Sequence, residues 1–335
     1  MQLDAVTTSA GRGPSQHQVW DRLRAWDSLG LFVVVIVVFG VFAATAPNFL
    51  TQDNLLNILQ QTAFFGIIAF AMTLVIVAGE IDISVGAQTA LTSALLGVLV
   101  VQEGWPFWLA CIAVLAQAVV IGAVAGWVRS RFGVPSFIVT LALYMSLRGL
   151  AMLVTDTFAI SIDSSEFFYW GDGRVFGVVP IAAVYLVIAF VAFGVVARYT
   201  VFGRSVYAVG GNPKSATLSG IPVTRVRMAV LALTGLTAGI TGLLQSAQLS
   251  SGTPTIAVGL EFDAIAAAII GGTALSGGKG TISGTCLGAL FVAILANGMV
   301  LLGVNPYGQN VVRGGIVVGA VLVNVLRSAR SARRA

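Results

Sequence analysis

Apolar runs long enough to cross a bilayer recur along almost the whole chain, separated by short polar segments. A helical span needs about 20 predominantly apolar residues. Runs near that length occupy residues 29–46, 57–78, 83–102, 106–128, 135–155, 177–197, 226–247, 260–275, 282–303 and 310–327. The eighth is short and bounded by glycine, so a half-span or a tilted helix is expected there. The pattern predicts an all-α polytopic membrane protein with about ten transmembrane helices. It divides into a tail over residues 1–28, a membrane domain over 29–327 and a basic tail over 328–335. The longest polar interruption inside the apolar pattern that also carries several basic residues is the loop at 198–225.

Charge placement tests the count. Loops on the cytoplasmic side of a membrane protein hold the excess of Lys and Arg. Ten spans with both termini inside put fifteen of the eighteen basic residues on that side, and only Arg148, Arg174 and Arg313 fall outward. Nine spans would export the C-terminal arginine cluster. The first apolar run has no small-residue cleavage site after it and reads as a retained span. The outer loops carry Asp53, Glu103, Asp156, Asp163, Glu166 and Asp172. The longest, about 156–176, adds Phe167, Phe168, Tyr169 and Trp170. Aromatics at that depth suit the headgroup interface, and the same loop could offer a docking face to an external partner.

Composition narrows the chemistry. Of 335 residues 57% are hydrophobic and 9% charged, with mean hydropathy +0.96, against about 25% charged in soluble domains. The one histidine, His17, lies in the N-terminal tail, so no His-based metal site or catalytic dyad can form within one chain. Cys111 and Cys286 lie in apolar runs and read as small packing residues. No catalytic residue, no metal ligand set and no nucleic-acid role are expected. Glycine occurs 39 times. The pairs Gly122/Gly126, Gly235/Gly239, Gly284/Gly288 and Gly315/Gly319 have the small-xxx-small spacing that lets helix backbones approach closely in lipid.

Four polar features stand out. Gly203–Ile221, GRSVYAVGGNPKSATLSGI, is a polar island whose glycines and Asn-Pro predict a loop leading into a small surface helix. A transporter driven by a soluble motor needs such a point of force entry. Glu80 and Asp82 lie between the second and third runs, where Asp82 is placed to cap the third helix. Glu80 is open to packing, to ion coupling or to contact with a cytoplasmic partner. Glu261 and Asp263 precede the eighth run, again at a helix N-terminus. Glu261, Gln245 and Asn297 are candidates for a polar translocation path, with interhelical hydrogen bonding the alternative. Gly271–Thr281 departs from the phosphate-loop pattern, because Thr273 and Gly280 stand where a Gly and a Ser or Thr are required. It reads as a tight turn between spans, with Lys279 on the inside face.

Four ordered stretches resemble the ribose-type permease subunits of bacterial ABC importers. They are Thr73–Gly86 (TLVIVAGEIDISVG), Val134–Gly149 (VPSFIVTLALYMSLRG), Phe202–Ile221 (FGRSVYAVGGNPKSATLSGI) and Glu261–Gly284 (EFDAIAAAIIGGTALSGGKGTISG). The family usually has Gly where this chain has Glu80. The resemblance covers about residues 29–327. It implies the ABC importer permease fold and a subunit of the bacterial inner membrane that translocates a monosaccharide by alternating access. The implied partners are a cytoplasmic ATPase subunit that binds ATP and Mg, a periplasmic sugar-binding protein, and a second permease chain, identical or related. The chain itself would need no cofactor. The resemblance also implies that Gly203, Arg204, Tyr207, Gly210, Gly211, Asn212, Pro213, Ala216, Ser219, Gly220 and Ile221 couple to the ATPase. Permeases for autoinducer-2 or rhamnose are alternatives within the class. An ion-coupled secondary transporter using Glu80 or Glu261, or a passive channel, are alternatives outside it, and neither calls for a docking helix.

Overall fold

The computed structural model describes residues 16–332. Thirteen helices follow one another among these residues: α1 (Gln16–Thr45), α2 (Gln52–Val77), α3 (Val85–Gly97), α4 (Phe107–Phe132), α5 (Ser136–Val154), α6 (Ser165–Asp172), α7 (Ile181–Tyr199), α8 (Val201–Gly211), α9 (Pro213–Leu218), α10 (Val223–Leu249), α11 (Leu260–Ile270), α12 (Ile282–Leu301) and α13 (Pro306–Ala332). A π-helical turn, Val98–Gln102, extends α3. Two short antiparallel pairs complete the fold: β1 (Ile160–Ser161) with β4 (Ser251–Gly252), and β2 (Arg174–Val175) with β3 (Val179–Pro180). Seven of the described helices, α3 with its π turn among them, are long and apolar enough to cross a membrane.

The ten apolar runs correspond to α1–α5, α7 and α10–α13, with differences at the edges. α1 runs unbroken through residue 28, where the sequence suggests a boundary. The third run starts late, because Gly79–Ser84 is not helical. α11 has 11 residues, which gives about 16 Å of helix. That is half of the roughly 30 Å hydrocarbon core, so the eighth run is a half-span.

α2 is the central helix. It is apolar all round, as a helix with no solvent or lipid face should be, and 94% of its most apolar window is buried. α7, α10, α11 and α12 pack around it. α4, α5 and α7 instead turn long apolar faces outward, including Val120, Val124, Met145, Leu153, Val187 and Val191. Those faces match hydrocarbon.

Three of the four glycine pairs are used in packing. Gly122 and Gly126 of α4 lie against the backbone of Leu231 and Met228 in α10, and Gly235 and Gly239 of α10 lie against Ala118 and Leu115 of α4. Gly284 and Gly288 of α12 meet Gly271 and Ala267 at the end of α11. Gly315 and Gly319 of α13 face open space. Interhelical hydrogen bonds add to these contacts: Thr73–Thr285 (2.6 Å), Ser246–Ser93 (2.6 Å) and Thr241 to the Phe64 carbonyl (3.0 Å). Each such bond contributes about 0.6 kcal/mol on average in a membrane interior. The three arginines left outward by the charge count are all engaged. Arg174 pairs with Asp53, Arg313 with Asp263, and Arg148 donates to the carbonyls of Pro254 and Ile256.

The aromatic loop is a folded element. Its helix α6 is capped by Ser164 and buries Phe167 against Phe107 (5.0 Å between centroids). Phe168, Tyr169 and Trp170 stay exposed.

Candidate coupling interface

The polar island folds as two consecutive short helices, not as a loop leading into one. Thr200 ends α7 and opens α8: its hydroxyl donates to the Val196 carbonyl (2.6 Å) and accepts from the Gly203 amide (3.0 Å). α8 stops at Asn212, whose extended backbone redirects the chain. The Asn212 side chain then accepts from the Ser215 amide (3.1 Å), and Pro213 occupies the first helical position, so α9 starts with a complete N-cap. Its far end closes with equal definition. Gly220 adopts φ +79°, its amide donates to Thr217, and the Ile221 amide donates to Ala216. This is the Schellman arrangement, and only glycine takes the left-handed position without strain.

The residues of the island fall into three environments. Gly203, Val206, Val209 and Ala216 are buried, while Arg204, Gly211, Asn212, Pro213, Lys214, Ser219 and Gly220 are exposed. Tyr207, Gly210 and Ile221 are half-buried. Leu218, at the end of α9, is 90% exposed. The inner face of α8 sits on the end of α2. A Cβ on Gly210 would collide with the Val77 carbonyl oxygen, and that oxygen accepts a hydrogen bond from the Gly278 amide (2.8 Å). The Tyr207 hydroxyl donates to the Gly280 carbonyl (2.9 Å). The glycine-rich segment is therefore a tight turn between α11 and α12, with Gly272, Gly277 and Gly278 at positive φ, and it forms part of the seat of α8. Gly211 has open space around it. Of this glycine pair, Gly210 makes the packing contact.

Gln245, Glu261 and Asn297 are not brought together. Asn297 of α12 exchanges two amide hydrogen bonds with Asn54 of α2, at 3.0 and 2.8 Å. Gln245 is half-buried on α10. Glu261 lies in the first turn of α11, 1% exposed, with Oε2 directed at Gly86 of α3 and Arg148 within electrostatic reach. Asp82 does not cap α3 directly. It accepts from the amide and hydroxyl of Ser84 (2.9 and 2.6 Å) and from the Thr234 hydroxyl of α10 (2.6 Å), and Ser84 is the N-cap residue.

Glu80, whose role the sequence alone leaves open, has partners in the structure. Its carboxylate accepts from Arg129 Nε at the end of α4 (2.9 Å) and is ion-paired with Arg227 near the start of α10 (2.6 Å), a charge contact without hydrogen-bond alignment. A signal for this was available. The runs ending near 78 and 128 and the one starting near 226 all meet the same side of the membrane in the charge count. That places Glu80, Arg129 and Arg227 at one level.

A bundle of apolar helices around a buried central one, with two short capped helices seated on one end, defines a multi-pass membrane transport subunit. Residues 54–321 match the family described as branched-chain amino acid transport system, permease component, and the chain belongs to that family. It is 46% identical over 307 residues to the probable ABC transporter permease protein YphD of Escherichia coli, covering 92% of each chain. It is 42% identical over 303 residues to the ribose import permease protein RbsC of Bacillus subtilis, covering 90% of this chain and 92% of that one. It is 37% identical over 332 residues to the L-arabinose ABC transporter permease protein AraH of Azospirillum brasilense, covering 99% and 94%. The chain is a permease subunit of an ABC importer.

Proposed function

We propose that the chain translocates a monosaccharide of the ribose or arabinose type into the bacterial cytoplasm, driven by ATP hydrolysis in a separate subunit. The names of its relatives support the substrate class. The observation that carries the coupling assignment is the construction of α9. It is a six-residue helix capped at both ends, held outward with Leu218 exposed and tied through α8 to the central helix. An isolated helix this short does not persist in water, so its order is built in and suits it to seat in a partner's groove. The α8–α9 end is then cytoplasmic, as are both termini.

In this reading ATP closes two ATPase domains beneath a pair of permease chains and displaces α9. Asn212 passes the motion to α8. The Gly210–Val77 and Tyr207–Gly280 contacts carry it into α2 and the α11–α12 turn. The bundle rocks, and the path changes the side it faces. A substrate-binding protein on the periplasmic side delivers the sugar. Glu261 is proposed to line the path, because one carboxylate oxygen is buried without a hydrogen-bond donor. Asn297 serves as a brace to Asn54, and Gln245 remains a candidate contact. Weak polar contacts suit this task, since tight binding would stall release.

The test is purification of the tagged chain from its host in mild detergent with identification of what comes with it. A stoichiometric ATP-binding subunit is expected, together with uptake of D-ribose or L-arabinose after reconstitution with a substrate-binding protein. Gly211→Trp, which places an indole on the exposed α8–α9 junction, should abolish uptake while the protein remains in the membrane. Unchanged uptake in that variant would remove the coupling assignment.

A further inference from the structure

Glu80 occupies an unusual position for a charge. Helix α2 ends in a Schellman turn: Gly79 has φ +79° and donates to Ile76, and the Glu80 amide donates to Val75 (3.0 Å). The residue at this place in the motif normally packs an apolar side chain back on the helix. Here it is a carboxylate, 1% exposed, with Arg129 Nε at 3.0 and 2.9 Å from its two oxygens and Arg227 Nε at 2.6 Å. The two arginines are 21% and 17% exposed. A carboxylate removed from water to this degree stays ionised only when paired, and this one has two partners from two helices.

What lies on either side of the pair matters more. Arg227 is in the first turns of α10, directly after α9 and the Ile221–Pro222 link. Gly126, one turn before Arg129, lies against the backbone of Arg227 and Met228, so α4 and α10 touch at this level. Beyond Glu80 the chain is non-helical up to Ser84. Its Ile81 and Ile83 amides donate to Ser136 and Thr140 of α5 (3.0 and 3.1 Å), and Asp82 accepts from Thr234 of α10. One carboxylate thus joins the helix that leaves α9 to the segment between α2 and α3, and through it to α5.

We propose that Glu80 is a positioning residue that carries displacement of α9 and α10 into the Gly79–Ser84 segment. This rests on the coupling role proposed above for α9. It adds a second route beside the Gly210–Val77 contact, and one that a chain with glycine at this position lacks.

The experiment is hydrogen–deuterium exchange on the full transporter complex, with and without ATP and vanadate to trap the closed ATPase. No sugar is required. In the wild type, trapping should alter exchange in both α8–α9 and Gly79–Ser84. In E80Q the response of Gly79–Ser84 should be lost while that of α8–α9 remains, and E80D, which keeps the charge, should restore it. A merely structural role would lower the melting temperature of E80Q and leave the trapped response in place; that result overturns the proposal. So does a wild-type complex in which α8–α9 responds and Gly79–Ser84 does not. If α8–α9 itself fails to respond, the coupling reading fails, and this inference with it. Should E80Q not survive extraction, R227Q, which removes the positive charge on α10 that pairs with Glu80, must show the same selective loss.

Discussion

Replacing Gly210 by alanine adds one methyl at the tightest contact between the coupling segment and the bundle. The new Cβ would overlap the Val77 carbonyl oxygen and lie 2.7 Å from the Gly278 amide nitrogen. Backbone cannot move aside as a flexible side chain can, so α8 must withdraw by roughly an ångström or more in a close-packed site. Withdrawal opens the Tyr207–Gly280 hydrogen bond. Overpacking of this kind costs about 1–3 kcal/mol, and a hydrogen bond contributes about 0.5–1.5 kcal/mol. Alanine returns up to about 1 kcal/mol in helix propensity. The net expectation is a loss of about 0.5–3.5 kcal/mol, concentrated at the α2–α8 seat. Gly211→Ala is the control, because nothing lies within 4 Å of its Cβ. Thermal unfolding in detergent and sugar uptake per ATP in proteoliposomes should both fall for Gly210→Ala and stay near wild type for Gly211→Ala. If the two variants behave alike in both assays, the seat does not transmit force as described.

Three further outcomes follow from the same contacts. Asn212→Ala removes the α9 N-cap at about 1 kcal/mol, so trypsin should cut at the exposed Lys214 about fivefold faster, and an unchanged rate would argue against the cap. Gly126→Leu should push α4 from α10 and lower the yield of folded protein by overpacking of about 1–3 kcal/mol, whereas Gly315→Leu, facing open space, should not; gel filtration of fluorescent fusions separates the two. Alanine at Asn54 and Asn297, singly and together, should give a coupling energy of about 0.6–1.7 kcal/mol, read from melting of the four proteins in one detergent. Additive losses would mean that the amide pair contributes nothing.

The long helices were legible because hydrophobic length is a strong signal in a membrane. The half-span α11 was visible in its short run and flanking glycines. The polar island was recognisable as an element, but its two-helix form turned on Thr200, Asn212 and Gly220 acting as caps, and only the Asn-Pro pair was conspicuous. The Asp82 cap lies two residues off, because α3 starts at Val85 and Ser84 takes the N-cap position, while Asp82 bonds Ser84 and, through its other oxygen, Thr234 of α10, a helix that no local pattern shows. The Glu80 clasp joins residues separated by 49 positions in one case and by far more in the other. Only the shared membrane level of three run ends pointed to it. Which glycine pair packs and which stays open depends on helix rotation, and the spacing of Gly122/Gly126 is the same as that of Gly315/Gly319.

The burial of α2 has a consequence for synthesis. The second helix to leave the ribosome is enclosed by α7, α10, α11 and α12, and its Thr73 hydroxyl, bonded to Ala69 within α2, meets Thr285 only when α12 is in place. It is hydrophobic enough to enter the bilayer alone, but its enclosure waits for most of the remaining chain. A nascent polypeptide that stops before residue 282 leaves one side of its own centre facing lipid. Such fragments should be cleared by membrane quality-control proteases, and truncation series ending on either side of α12 should differ sharply in lifetime.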